Sequence, residues 1–102
     1  MASRLELHEK FCGILGNGNA YFNPPETVKM NYPGIRYKLS DIDLTSANND
    51  VYYVAKKYEV IVITYDPDDT LYEEIIRNFP KCKFDRMYIA SNLYHYVFTI
   101  YY

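Results

Sequence analysis

The stretch "YYVAKKYEVIVITY", residues 52–65, decides the fold. Its centre, Val60-Ile61-Val62-Ile63, is β-branched at every position and apolar at both alternations. Side chains of a strand point to opposite sides in turn, so a strand with one wet face alternates apolar and polar. An unbroken apolar run instead predicts a strand inside a sheet with both faces covered. The rest of the chain has to supply neighbours for its edges and layers for its faces.

The neighbours are legible on either side. Residues 35–39, "IRYKL", send Ile35, Tyr37 and Leu39 one way and Arg36 and Lys38 the other, as a half-buried strand does. Residues 83–90 and 94–102 read as two further strands. Only Ser91-Asn92-Leu93 joins them, which makes an antiparallel hairpin, with Asn92 and Leu93 predicted in the turn. Ala20-Tyr21-Phe22 is a short extended piece, stopped by Asn23-Pro24-Pro25 because proline cannot donate to a ladder. Ser40–Asp50, "SDIDLTSANND", contains Asp41, Asp43 and Asp50 and is predicted as a polar loop. Its expected state in a free subunit is disorder, ending on contact with a partner.

Two segments carry helical spacing. In 4–15, Leu5, His8, Phe11, Cys12 and Leu15 share a face and Glu6 and Lys10 pair on the other. Ser3 and Glu6 form a capping box at its start, and Gly16-Asn17-Gly18-Asn19 ends it. In 70–79, Leu71, Ile75, Ile76 and Phe79 make the stripe, Thr70 and Glu73 a second capping box, and Pro80 the stop.

The predicted architecture is α+β: a mixed, mainly antiparallel sheet of four to five strands with two helices on one face, one domain over residues 1–102. Two helices cover one face only, yet the last strand is apolar or aromatic on both. Tyr94, Tyr96, Phe98, Ile100 and Tyr102 point one way, and His95, Val97, Thr99 and Tyr101 the other. A second copy is the simplest cover for the remaining face. The 13 tyrosines, with 5 Phe and no Trp, favour a surface that a partner covers, because tyrosine combines apolar area with a polar tip.

A formal net charge of −2 argues against a dedicated nucleic-acid binder. No apolar run approaches the ~20 residues that span a bilayer. The first six residues hold no apolar stretch, so no export signal is expected and Cys12 and Cys82 are expected as reduced thiols.

Candidate chemistry is sparse. His8 and Cys12 lie four apart on one helix face, the spacing of a nucleophile and its base, but also that of two core-facing residues. The cysteines and histidines lack zinc-ligand spacing. Gly13, Gly16 and Gly18 follow a helix, whereas a phosphate loop precedes one. Asp66, Asp68 and Asp69 lack the spacing of a calcium loop and sit where a helix N-terminus favours acids. Arg86, Tyr88 and His95 could meet across the last hairpin, as an acid/base and phosphate clamp of a small nuclease or as an aromatic ladder. No catalytic set, cofactor or metal is expected.

One resemblance spans nearly the whole chain. "KFDRMYIASNLYHYVFTIYY", residues 83–102, follows the pattern Asp-Arg-x-Tyr-x-x-x-Asn-Leu-x-His-x-x-Phe-x-x-Tyr-Tyr, at Asp85, Arg86, Tyr88, Asn92, Leu93, His95, Phe98, Tyr101 and Tyr102. With "PPETVKMNYPGIRY" (24–37) and "YEVIVITYDPDD" (58–69), it resembles the tail terminators, or tail completion proteins, of long-tailed phages and prophages of Gram-positive bacteria. Ser91 departs from the aspartate common there, and Thr64-Tyr65 from the usual pair before the Asp-Pro. The resemblance implies a virion structural protein and no enzyme. It implies a homo-oligomeric ring, usually a hexamer, at the neck of the particle, after assembly in the host cytoplasm. Such a ring caps the tail tube protein, meets the head connector or stopper protein, and lets DNA pass without sequence-specific contact. A head-completion or stopper protein of the same particle is the nearest alternative. Interface candidates are Tyr88, Tyr94, His95, Tyr96, Tyr101, Tyr102, Asp41, Asp43 and Asp50.

Overall fold

The computed structural model describes residues 4–24, 29–47 and 50–102, with side chains described outside 43–55. In chain order the elements are α1 (Arg4–Leu15), β1 (Ala20–Phe22), β2 (Gly34–Ala47), β3 (Asp50–Thr64), α2 (Leu71–Asn78), β4 (Cys82–Ala90) and β5 (Leu93–Tyr101). The strands form one open sheet in the order β1-β2-β3-β5-β4. β3 lies at its centre, as its doubly apolar run requires. β1 runs parallel to β2 and the other pairs are antiparallel, so the sheet is mixed and the architecture α+β.

The larger core lies under the helices. Leu7 and Phe11 of α1, with Ile75 and Phe79 of and after α2, are buried against Tyr37, Val60, Val62, Phe98 and Ile100. The buried stripe of α1 therefore differs from the predicted one. Leu7 and Phe11 carry it at i, i+4, while Leu5 is 63% exposed. Ile76 of α2 is likewise 50% exposed. The expected Ser3–Glu6 box involves Ser3, which lies outside the described residues. At α2, Thr70 makes no side-chain cap. Asp69 does that work: its Oδ1 accepts the Leu71 N–H (2.9 Å) while its Oδ2 accepts the Thr64 hydroxyl (2.8 Å). A charged cap that also ties the helix to the end of β3 outcompetes a hydroxyl.

The predicted loop 40–50 is strand up to Ala47, and β3 begins at Asp50. β2 and β3 pair from Gly34↔Ile63 out to Ala47↔Asp50, a long two-stranded ribbon. Residues 48 and 49 lie outside the described residues. Composition misled here because cross-strand partners override propensity. Asp41 sits opposite Lys57, a favourable pair of opposite charges. Ser40 is an extra residue on β2, between Leu39↔Tyr58 and Asp41↔Lys57, and its hydroxyl donates to the Lys57 carbonyl (3.0 Å).

The second sheet face carries a smaller core. Ile61, Ile63 and Val97 are buried there, with Met30, Tyr32, Tyr88 and Leu93 packed against them. A parallel pair needs a crossover, and the segment between β1 and β2 lays Met30 and Tyr32 over this face. The chain thus covers the centre of the face that was expected to need an outside partner. β4 and β5 are joined by Ser91 (φ 52°) and Asn92 (φ 62°), while Leu93 already pairs with Ala90. The turn is therefore Ser91-Asn92, one residue earlier than predicted, with the two positive φ angles whose twist suits a hairpin.

Gly34 opens β2 in a crowded place. A Cβ there would lie 2.6 Å from the Asn31 carbonyl oxygen and 3.1 Å from that of Asn19. Both are backbone atoms, and the Asn19 carbonyl accepts the Ile35 N–H (2.9 Å). Gly34→Ala is expected to lower unfolding stability by about 1–3 kcal/mol in a urea titration, whereas Gly13→Ala, on the open side of α1, is expected to raise it by roughly 0.5–1 kcal/mol.

Candidate functional interface

β5 divides the predicted aromatic residues between the two faces. On the helix side, Tyr96 stacks on Tyr72 of α2 with ring centroids 5.1 Å apart. Tyr102 meets Phe79 edge-on at 6.1 Å, carries Lys10 Nζ over its ring at 4.9 Å, and donates its N–H to the Lys56 carbonyl. Tyr94 is half-buried and lies in register between Thr64 and Ile89. Tyr96 and Tyr102 are thus engaged within the chain, packed against its own helix-side core.

On the other face, β4 and β5 bring His95 and Tyr88 into register. Their rings stack at 4.6 Å and 13°, and the Arg86 guanidinium lies 5.7 Å from the Tyr88 ring centre. The Nδ1 of His95 is 3.0 Å from the Leu93 carbonyl, which can only accept, so Nδ1 carries a proton. Arg86, Tyr88 and His95 thus meet across the hairpin. Asp85 is the extra residue of a bulge between Phe84 and Arg86 and accepts the Thr99 hydroxyl at 2.7 Å. Beside it lies an open trough of about 400 Å³ whose walls include Asp41, Lys57, Glu59, Lys83, Asp85 and Tyr101. Of these, Lys57, Glu59 and Lys83 were not picked out from the sequence. For Lys57 and Glu59 the signal was the polar alternation at the margin of the apolar run, and for Lys83 its place between Cys82 and Phe84. Asp41 is exposed, with its Oδ1 accepting the neighbouring Ile42 N–H. Asp43 and Asp50 belong to β2 and β3, but their side chains lie outside those described.

The His8–Cys12 pair resolves differently. His8 Nδ1 shares a 2.6 Å hydrogen bond with the Tyr37 hydroxyl, so the imidazole is engaged across to the sheet. Asp66 and Asp69 are acceptors for the turn into α2, from the Asp68 N–H and from Thr64 and Leu71. Among the described residues no group of three or more His, Cys, Asp or Glu is placed to hold a metal.

No family model, curated protein or solved structure matches the chain.

Burial pushes the Tyr37, Tyr58 and Tyr96 hydroxyls above the ordinary tyrosine value of 10.0, with Arg4 partly opposing the rise at Tyr37 and Tyr58. A raised folded-state value means that the folded chain holds these protons more tightly than the unfolded one. Their contribution is complete below about pH 10 and is lost as pH climbs through the raised values. The melting temperature is therefore expected to fall as pH rises above about 10. Tyr37→Phe should soften that alkaline fall, at a cost of about 1 kcal/mol at neutral pH for the lost bond to His8.

Proposed function

We propose that the chain is a structural subunit of a long-tailed phage, a tail terminator that assembles as a ring, caps the tail tube and meets the head connector. The observation that carries this reading is the coincidence of the Asp85–Tyr102 pattern with a single hairpin in which its residues have distinct tasks. Asn92 turns the chain, Phe98 fills the core, Tyr88 and His95 stack on the open face, and Tyr102 locks onto Phe79. Such a set of tasks belongs to a scaffold residue pattern rather than to a reacting centre. The mechanism that follows is mechanical: a rigid sheet unit is repeated around an axis, and the exposed margins of each unit meet the next one and the tube. A net charge of −2 suits a passage through which DNA slides without being gripped.

Purified protein mixed with tail tubes is expected to give tubes capped at one end in negative-stain images and of fixed length during polymerisation. Tubes that grow as if the protein were absent would refute the terminator role. The nuclease alternative draws on the meeting of Arg86, Tyr88 and His95. Because His95 is covered by Tyr88 and engaged by Leu93, His95→Ala is expected to leave any cleavage of RNA or DNA by the preparation unchanged, and its loss would favour the enzyme.

A further inference from the structure

Both sheet faces are largely satisfied within the subunit, so the unsatisfied backbone lies at the sheet's margins. β4 is an edge strand of nine residues whose outer side pairs with no described strand. At the opposite margin β1 covers β2 only along Ile35–Tyr37, and the Asn23 N–H adds one bond to the Tyr37 carbonyl. Beyond Tyr37 the outer edge of β2 is open among the described residues, through to Ala47. Long unpaired edges recruit other strands, and proteins usually blunt them. Each of these two carries charged residues and a bulge, at Asp85 and at Ser40, yet both stay long and keep one side apolar. β4 exposes Phe84, Met87 and Ile89 at 46–61%, and β2 exposes Leu39 and Ile42 at 41% and 47%.

The two edges complement each other. Phe84, Met87 and Ile89 pair with Phe98, Tyr96 and Tyr94, which puts all three on the helix side of the sheet. Leu39 and Ile42 pair with Tyr58 and Lys56, which puts them on the same side. The charges are opposed: β4 contains Lys83, Asp85 and Arg86, and β2 beyond Tyr37 contains Lys38, Asp41 and Asp43. Asp85 is taken by Thr99 and Lys38 faces Glu59 (3.9 Å), which leaves Lys83 and Arg86 for Asp41. Direction agrees as well. β4 runs opposite to β5, β5 opposite to β3 and β3 opposite to β2, so β4 is antiparallel to β2. A second copy in the same orientation, helices on the same side, therefore offers its β4 antiparallel to this β2.

We infer that copies of this chain join head to tail by adding β4 of one subunit to the free outer edge of β2, from Lys38 onward, of the next. The partner is another copy of the same chain. β1 blocks the lower part of β2, so each added β4 seats further up the ribbon and successive sheets are staggered along their strands. Stagger of that kind tilts strands relative to the axis of a closed array, as in barrels. A head-to-tail contact uses two different surfaces on each subunit and grows until rotation closes it. The inference deepens the ring reading above and depends on it for closure alone.

Two exposed substitutions test the pairing without touching the core: Met87→Glu spoils the β4 edge and Ile42→Glu the β2 edge. The unmodified chain is expected to self-associate by sedimentation, and each variant alone to associate about tenfold more weakly or worse, with an unchanged thermal melt. Mixed one to one, the variants keep one intact β4 and one intact β2 between them, so they are expected to form a heterodimer that grows no further. A chain that is monomeric at all soluble concentrations overturns the inference. So does an Ile42→Glu variant that still dimerises, which would indicate two-fold β4–β4 pairing, or variants that do not combine on mixing. Rings that ignore tail tubes would overturn the tail reading and leave the edge pairing intact. Tubes capped equally well by both variants would do the reverse.

Discussion

The buried hydroxyl of Tyr37 is the constraint around which the helix side is organised. Its ring lies 5.0 Å from Phe11, 5.2 Å from Phe22 and 6.3 Å from Tyr58, so one side chain joins α1, β1, β2 and β3. A tyrosine only 1% exposed has to place its hydroxyl against a partner, and His8 is that partner. The bond fixes the rotation of α1 about its own axis. With His8 pointing at the sheet, Leu7 and Phe11 fall into the core and Leu5 turns out to solvent. Arg4 then lies 4.5 Å over the Phe22 ring, which closes the end of the layer.

That dependence explains which parts of the fold the sequence revealed. β3 was legible because four consecutive β-branched residues admit few other readings. The hairpin of β4 and β5 was legible because its connection is too short for anything else. The face of α1 was not, since Leu5, Leu7 and His8 all fit some helical stripe, and a polar bond to a residue 29 positions away chose between them. The ribbon was hidden for a related reason. Asp41, Asp43 and Asp50 read as loop residues one at a time, and only the pairing of β2 with β3 makes them strand. At the candidate interface, the Tyr88–His95 stack followed from strand register. Asp85 escaped because a bulge cannot be read from spacing.

The crossover changes what the sheet leaves unsatisfied. A sheet with an apolar second face would have to be stacked on a partner. Met30 and Tyr32 remove that need by covering Ile61, Ile63 and Val97. What remains unsatisfied is directional: backbone groups along β4 and the upper part of β2, each flanked by exposed apolar side chains. Directional edges set the angle of an added strand more narrowly than greasy faces do.

The bulge at Ser40 has a further consequence, one of parity. Side chains alternate along a strand, so one extra residue exchanges the two sides for everything beyond it. Counted from Tyr37 without interruption, Asp41 would lie on the side of Leu39, under the helix layer, and Ile42 on the other. Because Ser40 is spent in the bulge, Leu39 and Ile42 share one side and Asp41 takes the opposite one. A deletion of this single serine would leave composition, charge and strand propensity almost untouched. It would also keep Leu39, Asp41 and Ile42 on their present sides, because only the unpaired residue is lost; taking Ser40 into the ladder as an ordinary paired residue is what would exchange the two sides of the ribbon beyond it.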